Sequence, residues 1–169
     1  MKKLYSLLMV LAMIVSFSAC GDSKPDDLPV SIQASALKSL KLVASEGAET
    51  TLELTFNKSD FAALEKYEKW VNSGQVQTST YIQFANVAEG VELSNVKLSL
   101  ASNSKTVLDL GTVSNNDTLD DLPNLNFLQN VVNEVSGRGS STLRLTFKTN
   151  STIVTPVDFT IKLDAKFSF

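Results

Sequence analysis

From residue 157 to residue 169, apolar and polar side chains alternate without a break. Val157, Phe159, Ile161, Leu163, Ala165, Phe167 and Phe169 fall on one face; Asp158, Thr160, Lys162, Asp164, Lys166 and Ser168 fall on the other. Period two with one polar face is the pattern of an antiparallel strand that is wet on one side. The same pattern recurs upstream. Leu52, Leu54 and Phe56 oppose Glu53 and Thr55. Val76, Thr78, Thr80, Ile82 and Phe84 oppose Gln75, Gln77, Ser79, Tyr81 and Gln83 in what reads as one strand. Val96, Leu98 and Leu100 oppose Lys97 and Ser99, and Leu143, Leu145 and Phe147 oppose Arg144 and Thr146. Ile32–Val43 and Lys105–Val113 are further strands with a weaker pattern.

Two segments break the alternation and read as short helices. The first covers Ser59–Ser73, with Ser59 as N-cap, Asp60 at the positive end of the dipole and Gly74 just past the end. Phe61, Leu64, Tyr67 and Val71 would share its apolar face. The second covers Pro123–Ser136, with Pro123 at the first helical position and Gly137 and Gly139 as the stop. Its stripe is Leu125, Leu128, Val131, Val132 and Val135. The expected fold is therefore mainly β, an antiparallel sandwich or barrel-like structure of about seven to nine strands with two inserted short helices. A faint echo links Thr51–Phe56 (TLELTF) to Thr142–Phe147 (TLRLTF).

The N-terminal residues follow a different rule. Lys2 and Lys3 precede an apolar stretch, Leu4–Val15, and small residues lead to Cys20, the only cysteine. The stretch is 12 residues long, whereas a membrane span needs about 20. A basic start, an apolar middle and small residues at the cut make a secretory signal. Phe17-Ser18-Ala19-Cys20-Gly21 resembles the lipobox of bacterial lipoproteins. That resemblance implies cleavage after residue 19, a diacylglycerol on the Cys20 thiol and membrane residence through the lipid. One fatty chain anchors marginally, and two or three anchor firmly.

Residues 20–29 form a lipidated cysteine and flexible tether, and 30–169 a single β-rich domain. Ser23-Lys24-Pro25-Asp26-Asp27 is similar to the short acidic signal that follows the lipid cysteine in surface-exported lipoproteins of the Bacteroidetes group. Gly21 stands where enteric lipoproteins held at the inner membrane carry aspartate. The resemblance implies an outer-membrane location and display at the cell surface, otherwise the periplasmic face.

Removing residues 1–19 takes away two lysines. Lys+Arg falls from 15 to 13 against 18 acidic residues, and the net charge moves from −3 to −5. Such a chain offers no basic cluster for nucleic acid. The 150 residues left are one domain's length. With no histidine and the one thiol lipidated, Ser-His and Cys-His nucleophilic catalysis and the usual zinc sites drop out. Carboxylate chemistry would need two facing acids. Asp109 and Glu134 are the candidates; the plain alternative is a solvated or helix-end carboxylate.

Asn115-Asn116-Asp117 with Asp120-Asp121 is the densest oxygen cluster and the weak calcium candidate, though it lacks EF-hand spacing. A polar loop and helix N-cap explain Asp120 or Asp121 without any metal. Tyr81, Trp70 and Tyr67 are the candidate rings for sugar stacking, against the simpler role of packing at the core edge. Tyr81 is the more suggestive, because it lies on the polar face of its strand. Gly137-Arg138-Gly139-Ser140-Ser141 follows a helix instead of preceding one, so it reads as a stop and not as a phosphate loop.

No catalytic motif and no cofactor motif emerges. The expectation is a lipid-anchored, non-catalytic binding or structural module whose ligand is a glycan or another envelope protein. The alternatives are a carboxylate-dependent polysaccharide hydrolase and a carrier holding an apolar ligand between the sheets.

Overall fold

The computed structural model describes residues 24–169. The expected signal segment and the expected lipidation residue Cys20 lie outside the described residues. Nine strands are present among the described residues: β1 (Ser31–Leu42), β2 (Thr50–Asn57), β3 (Ser73–Val76), β4 (Tyr81–Ala85), β5 (Leu93–Leu100), β6 (Asn103–Val113), β7 (Asp117–Leu119), β8 (Ser140–Thr149) and β9 (Val157–Ser168). One α-helix, α1 (Leu122–Arg138), joins β7 to β8. The strands form two antiparallel sheets, one in the order β1-β9-β4-β7 with β3 also on β9, the other in the order β2-β8-β5-β6. The fold is a mainly-β sandwich and not a closed barrel.

β9 is the spine of the first sheet. It pairs with β1 along its whole length on one side and with β4 and then β3 on the other. Its inward residues Val157, Phe159, Ile161, Leu163, Ala165 and Phe167 are all buried, as the alternation requires. Phe56, Phe61, Phe84, Phe147, Phe159 and Phe167 fill the interior. Phe159 meets Phe84 at 5.1 Å between ring centroids, and Phe61 meets Phe167 at 5.0 Å edge-on. Lys38 weakens the pattern of β1 because it sits on the inward row; its ammonium pairs with Asp60 at 2.6 Å.

The echoing segments turn out to be neighbours. β2 and β8 pair so that Thr51 meets Thr146, Glu53 meets Arg144 and Thr55 meets Thr142. The threonine hydroxyls bond across the strands at 3.2 and 2.8 Å, and the Arg144 guanidinium donates to Glu53 at 2.8 Å. The likeness is of two polar rows matched to each other across one pairing.

Three expectations need correction. The segment 59–73 is not an α-helix but three 3-10 turns, Lys58–Asp60, Ala62–Leu64 and Glu68–Trp70. Leu64 N–H donates to Phe61 O, Tyr67 N–H to Leu64 O and Trp70 N–H to Tyr67 O, each a three-residue step. The spacing of Phe61, Leu64, Tyr67 and Trp70 is itself three, the 3-10 repeat. Asn57, not Ser59, begins the segment, with its N–H on Asp60 at 2.7 Å. Gly74 is no helix stop; it lies in β3.

The strand expected from Gln75 to Phe84 is two strands, because Gln77–Thr80 forms a turn closed by Thr80 N–H on Gln77 O. The surviving helix is longer than expected, Leu122–Arg138, and Asp121 caps it. Pro123 is therefore its second residue. Phe127 and Asn124 are buried in it, while Leu125 is half-buried. Gly139 ends it at φ 89°, a left-handed conformation that favours glycine.

α1 packs on β3 through a bare backbone. Gly74 faces Val132, Ser136 and Phe167. Beside it the Gln129 amide acts as a substitute strand: its oxygen accepts from Val76 N–H at 2.8 Å and its nitrogen donates to Gly74 O at 2.8 Å. The edge of β3 is thereby covered.

Candidate functional site

The water-facing side of the first sheet carries the polar row of β9. Register places Leu37 and Tyr81 on either side of Lys162, and Ser39 and Gln83 on either side of Thr160. Tyr81 is half-buried. The Lys162 ammonium lies 6.0 Å from its ring centroid, within the range of cation–π attraction. The same ammonium pairs with Asp164 at 2.8 Å.

Asp164 is 4% exposed although it sits on the wet face. The turn 77–80 accounts for this. β3 stops opposite Ala165 and β4 starts opposite Lys162, which leaves Asp164 without a strand neighbour on that side. The turn fills the gap. Gln77 N–H donates to Asp164 O at 2.8 Å, the Thr80 hydroxyl donates to the same oxygen at 3.0 Å, and Asp164 N–H donates back to Thr80 Oγ1 at 2.9 Å.

Burial pushes the Asp164 carboxyl up. The bond from Lys162 and the hydroxyls of Ser35 and Ser79 outweigh it, and the net position is below the ordinary value of 3.8. Lys162 moves the other way, above 10.5, chiefly through its bond to Asp164 and against the desolvation that lowers it. A depressed carboxylate contributes stability that is present above its unfolded pKa and lost as pH falls through the folded value. A raised lysine contributes stability that is lost as pH rises through its folded value. Asp164→Asn is expected to cost about 1–3 kcal/mol at neutral pH, and to flatten the acid limb of melting temperature against pH below the ordinary carboxylate value. An acid limb as steep in Asp164→Asn as in the parent would show that Asp164 has no part in it.

The far end of the sandwich, where β1 ends and β9 begins, is made of loops bound to one another. Gly47 N–H donates to Thr149 O, Ile153 N–H to Ala44 O and Asn150 N–H to Glu92 O. The Asn150 side chain accepts from Glu92 N–H at 2.8 Å and donates to Gly90 O at 3.1 Å. Asn116 Oδ1 accepts from Val87 N–H at 3.0 Å. A hollow of about 300 Å³ is lined by Thr112–Asp117.

Of the calcium candidates, Asn115, Asn116 and Asp117 line this hollow, while Asp120 and Asp121 are not part of its lining. Asp117 accepts from its neighbour Thr118 N–H at 2.8 Å, Asp121 accepts from Asn124 N–H at the helix start, and Asp120 is exposed. Among the described residues no three acidic, histidine or cysteine side chains are grouped to hold a metal ion.

Of the three candidate rings, Tyr67 and Trp70 are neighbours and Tyr81 stands apart. Tyr67 packs on Phe169 at 5.6 Å, with half-buried Trp70 one 3-10 step further along. Phe169 is seven residues past Lys162, Tyr81's neighbour, so Tyr81 lies about 20 Å away along β9. The rings therefore do not make one platform.

Asp109 and Glu134 are not joined either. Asp109 is exposed and lies 3.7 Å from Lys97. Glu134 accepts from the hydroxyls of Ser102 and Ser141 and from Arg138, fastening α1 to the second sheet. Sequence reasoning missed Asp164 and Gln129. A Lys-x-Asp on one strand face was the available signal for the first. Nothing local marked the second.

No family model matches the chain, and no curated protein matches it. Among solved structures, a chain from Desmodium yellow mottle tymovirus is similar over 89% of this chain and 90% of its own, at 13% identity and a TM-score of 0.40. That degree of likeness supports no functional argument.

Proposed function

We propose that this chain is a lipid-anchored module of the bacterial outer membrane, displayed at the cell surface, which binds a glycan without catalysing its cleavage. The observation that carries the reading is the half-buried Tyr81 on the wet face of β4, in a row with Lys162 and Leu37 and beside Gln83, Thr160 and Ser39. A ring face beside amide and hydroxyl groups suits a pyranose, which has both an apolar face and a rim of hydroxyls. The lipid comes from the lipobox at Cys20. The hydrolase alternative loses support because Asp109 and Glu134 serve separate partners. The carrier alternative loses support because phenylalanines occupy the space between the sheets.

The test is capture of envelope and dietary polysaccharides, and of envelope proteins, by the soluble 21–169 fragment. Tyr81→Ala is expected to lower glycan capture about tenfold or more, the equivalent of about 1.4 kcal/mol, while the fragment still unfolds cooperatively. Equal capture by both proteins would remove Tyr81 from the site, and capture of envelope protein alone would overturn the glycan reading. In cells, Cys20→Ala is expected to abolish palmitate labelling. Labelling that persists would sink the anchor.

A further inference from the structure

We infer that the end of the sandwich bearing Tyr67, Trp70 and Phe169 is a membrane-contact surface that rests on lipid headgroups; the inference depends on the anchor at Cys20. β1 begins at that end: Ser31 and Ser73 flank Ser168 on either side of β9, and Asn72 N–H donates to Ser168 O at 2.9 Å. Ser31 is eleven residues from Cys20, a reach of at most about 40 Å fully extended. The described part of that stretch is shorter than its extended length. Leu28 N–H closes a turn on Pro25 O at 3.1 Å, and Pro25, Leu28 and Pro29 are half-buried, so this part of the tether is not the wholly solvated spacer its composition implies. The aromatic end is thus the end that the tether brings nearer to the bilayer.

The chemistry of the two ends differs in the matching sense. The near end carries Tyr67 and Trp70 on a turn that also bears exposed Lys66 and Lys69, with exposed Val30 at the tether. Tyrosine, tryptophan and lysine are the side chains that favour the bilayer interface, where a ring can be half wet and an ammonium can meet phosphate. Glu65 and Glu68 share this turn, so its two positive and two negative charges cancel, and the rings supply the attraction. The far end presents Glu46, Glu49, Glu89 and Glu92, all exposed. An anionic lipid surface repels that end. The 12 residues of β1 hold the far loops roughly 40 Å out, and the Tyr81 face then stands along the bilayer normal, open to ligands from the side.

Trp70 is the only tryptophan and Cys20 the only cysteine, so the chain carries its own probe and its own attachment point. The mature chain 20–169 is coupled through the Cys20 thiol to a maleimide lipid in phosphatidylethanolamine–phosphatidylglycerol vesicles whose acyl chains are brominated. This fixes the tether whether or not cells lipidate Cys20, so a failed labelling experiment and a failed contact are distinguishable. Trp70 emission is expected to shift to the blue and to be strongly quenched. In Trp70→Phe/Val154→Trp the reporter sits at the far end, where Val154 is 88% exposed, and quenching is expected to vanish. Lys66→Glu/Lys69→Glu, whose melting temperature checks the fold, is expected to weaken Trp70 quenching. An unquenched Trp70, or equal quenching at residues 70 and 154, would overturn the contact.

Discussion

Phe159→Ala is expected to lower the melting temperature of the 21–169 fragment by on the order of 10 °C. The side chain is fully buried at the middle of the first sheet, between β1 and β4, with its ring against Phe84. Truncating a buried phenylalanine typically costs about 3–5 kcal/mol through lost transfer energy and the cavity left behind. That is a large part of a total stability of about 5–15 kcal/mol, and each kcal/mol moves a domain of this size by about 2–4 °C. Asp158→Ala is the control on the opposite face. Asp158 contacts the Lys41 ammonium and accepts from Asn86 at 2.7 Å, so its loss is felt, but no cavity forms and the fall should be clearly smaller. Thermal unfolding of both variants decides the matter. Equal, small falls would mean that β9 frays and does not hold the fold together.

Gly74→Ala is expected to destabilise the fragment by about 1–3 kcal/mol, the usual cost of overpacking. A methyl group at residue 74 would stand 2.6 Å from Val132 Cγ1, 2.8 Å from Ser136 Oγ and 3.0 Å from Phe167 Cδ1. α1 would have to move away, and the Gln129 bonds to Gly74 O and Val76 N–H would lengthen with it. Gly137→Ala provides the opposite sign. That residue lies in the last turn of α1, and a methyl group there meets nothing within 4 Å. Alanine is favoured over glycine in a helix by about 0.5–1 kcal/mol, so a neutral to stabilising change is expected. Trimming Val132 to Ala in the Gly74→Ala background should restore part of the loss. Chemical denaturation of the set tests this: if Gly74→Ala were as harmless as Gly137→Ala, the close approach of α1 to β3 would be wrong.

Much of this architecture was legible along the chain because strand alternation is a local property. A half-buried strand needs only its own side chains to declare its two faces, and β9, β5 and β8 did so. α1 was legible for the same reason: a proline near the start, a glycine at φ 89° and a stripe of valines are all local signals.

What the tertiary structure decided was everything that depends on which element lies over which. The turn at Gln77–Thr80 splits an unbroken alternation because β9 needs those donors and acceptors at Asp164, a demand made 84 residues away. Phe61, Leu64 and Tyr67 follow a 3-10 path because Phe61 must meet Phe167 and Tyr67 must meet Phe169. Gly74 reads as a helix stop until α1 is seen pressed against it. The candidate rings look like one set in sequence, yet Tyr81 stands on the wet face of β4 beside Lys162, and Tyr67 packs on Phe169 just past the C-terminal end of β9. The alternation of apolar and polar residues determined that this chain would be strand-rich, as a sandwich or a barrel-like fold. Only the packing of distant strands decided where the candidate side chains stand, because a side chain's surroundings are set by its neighbours in space and not by its neighbours in the chain.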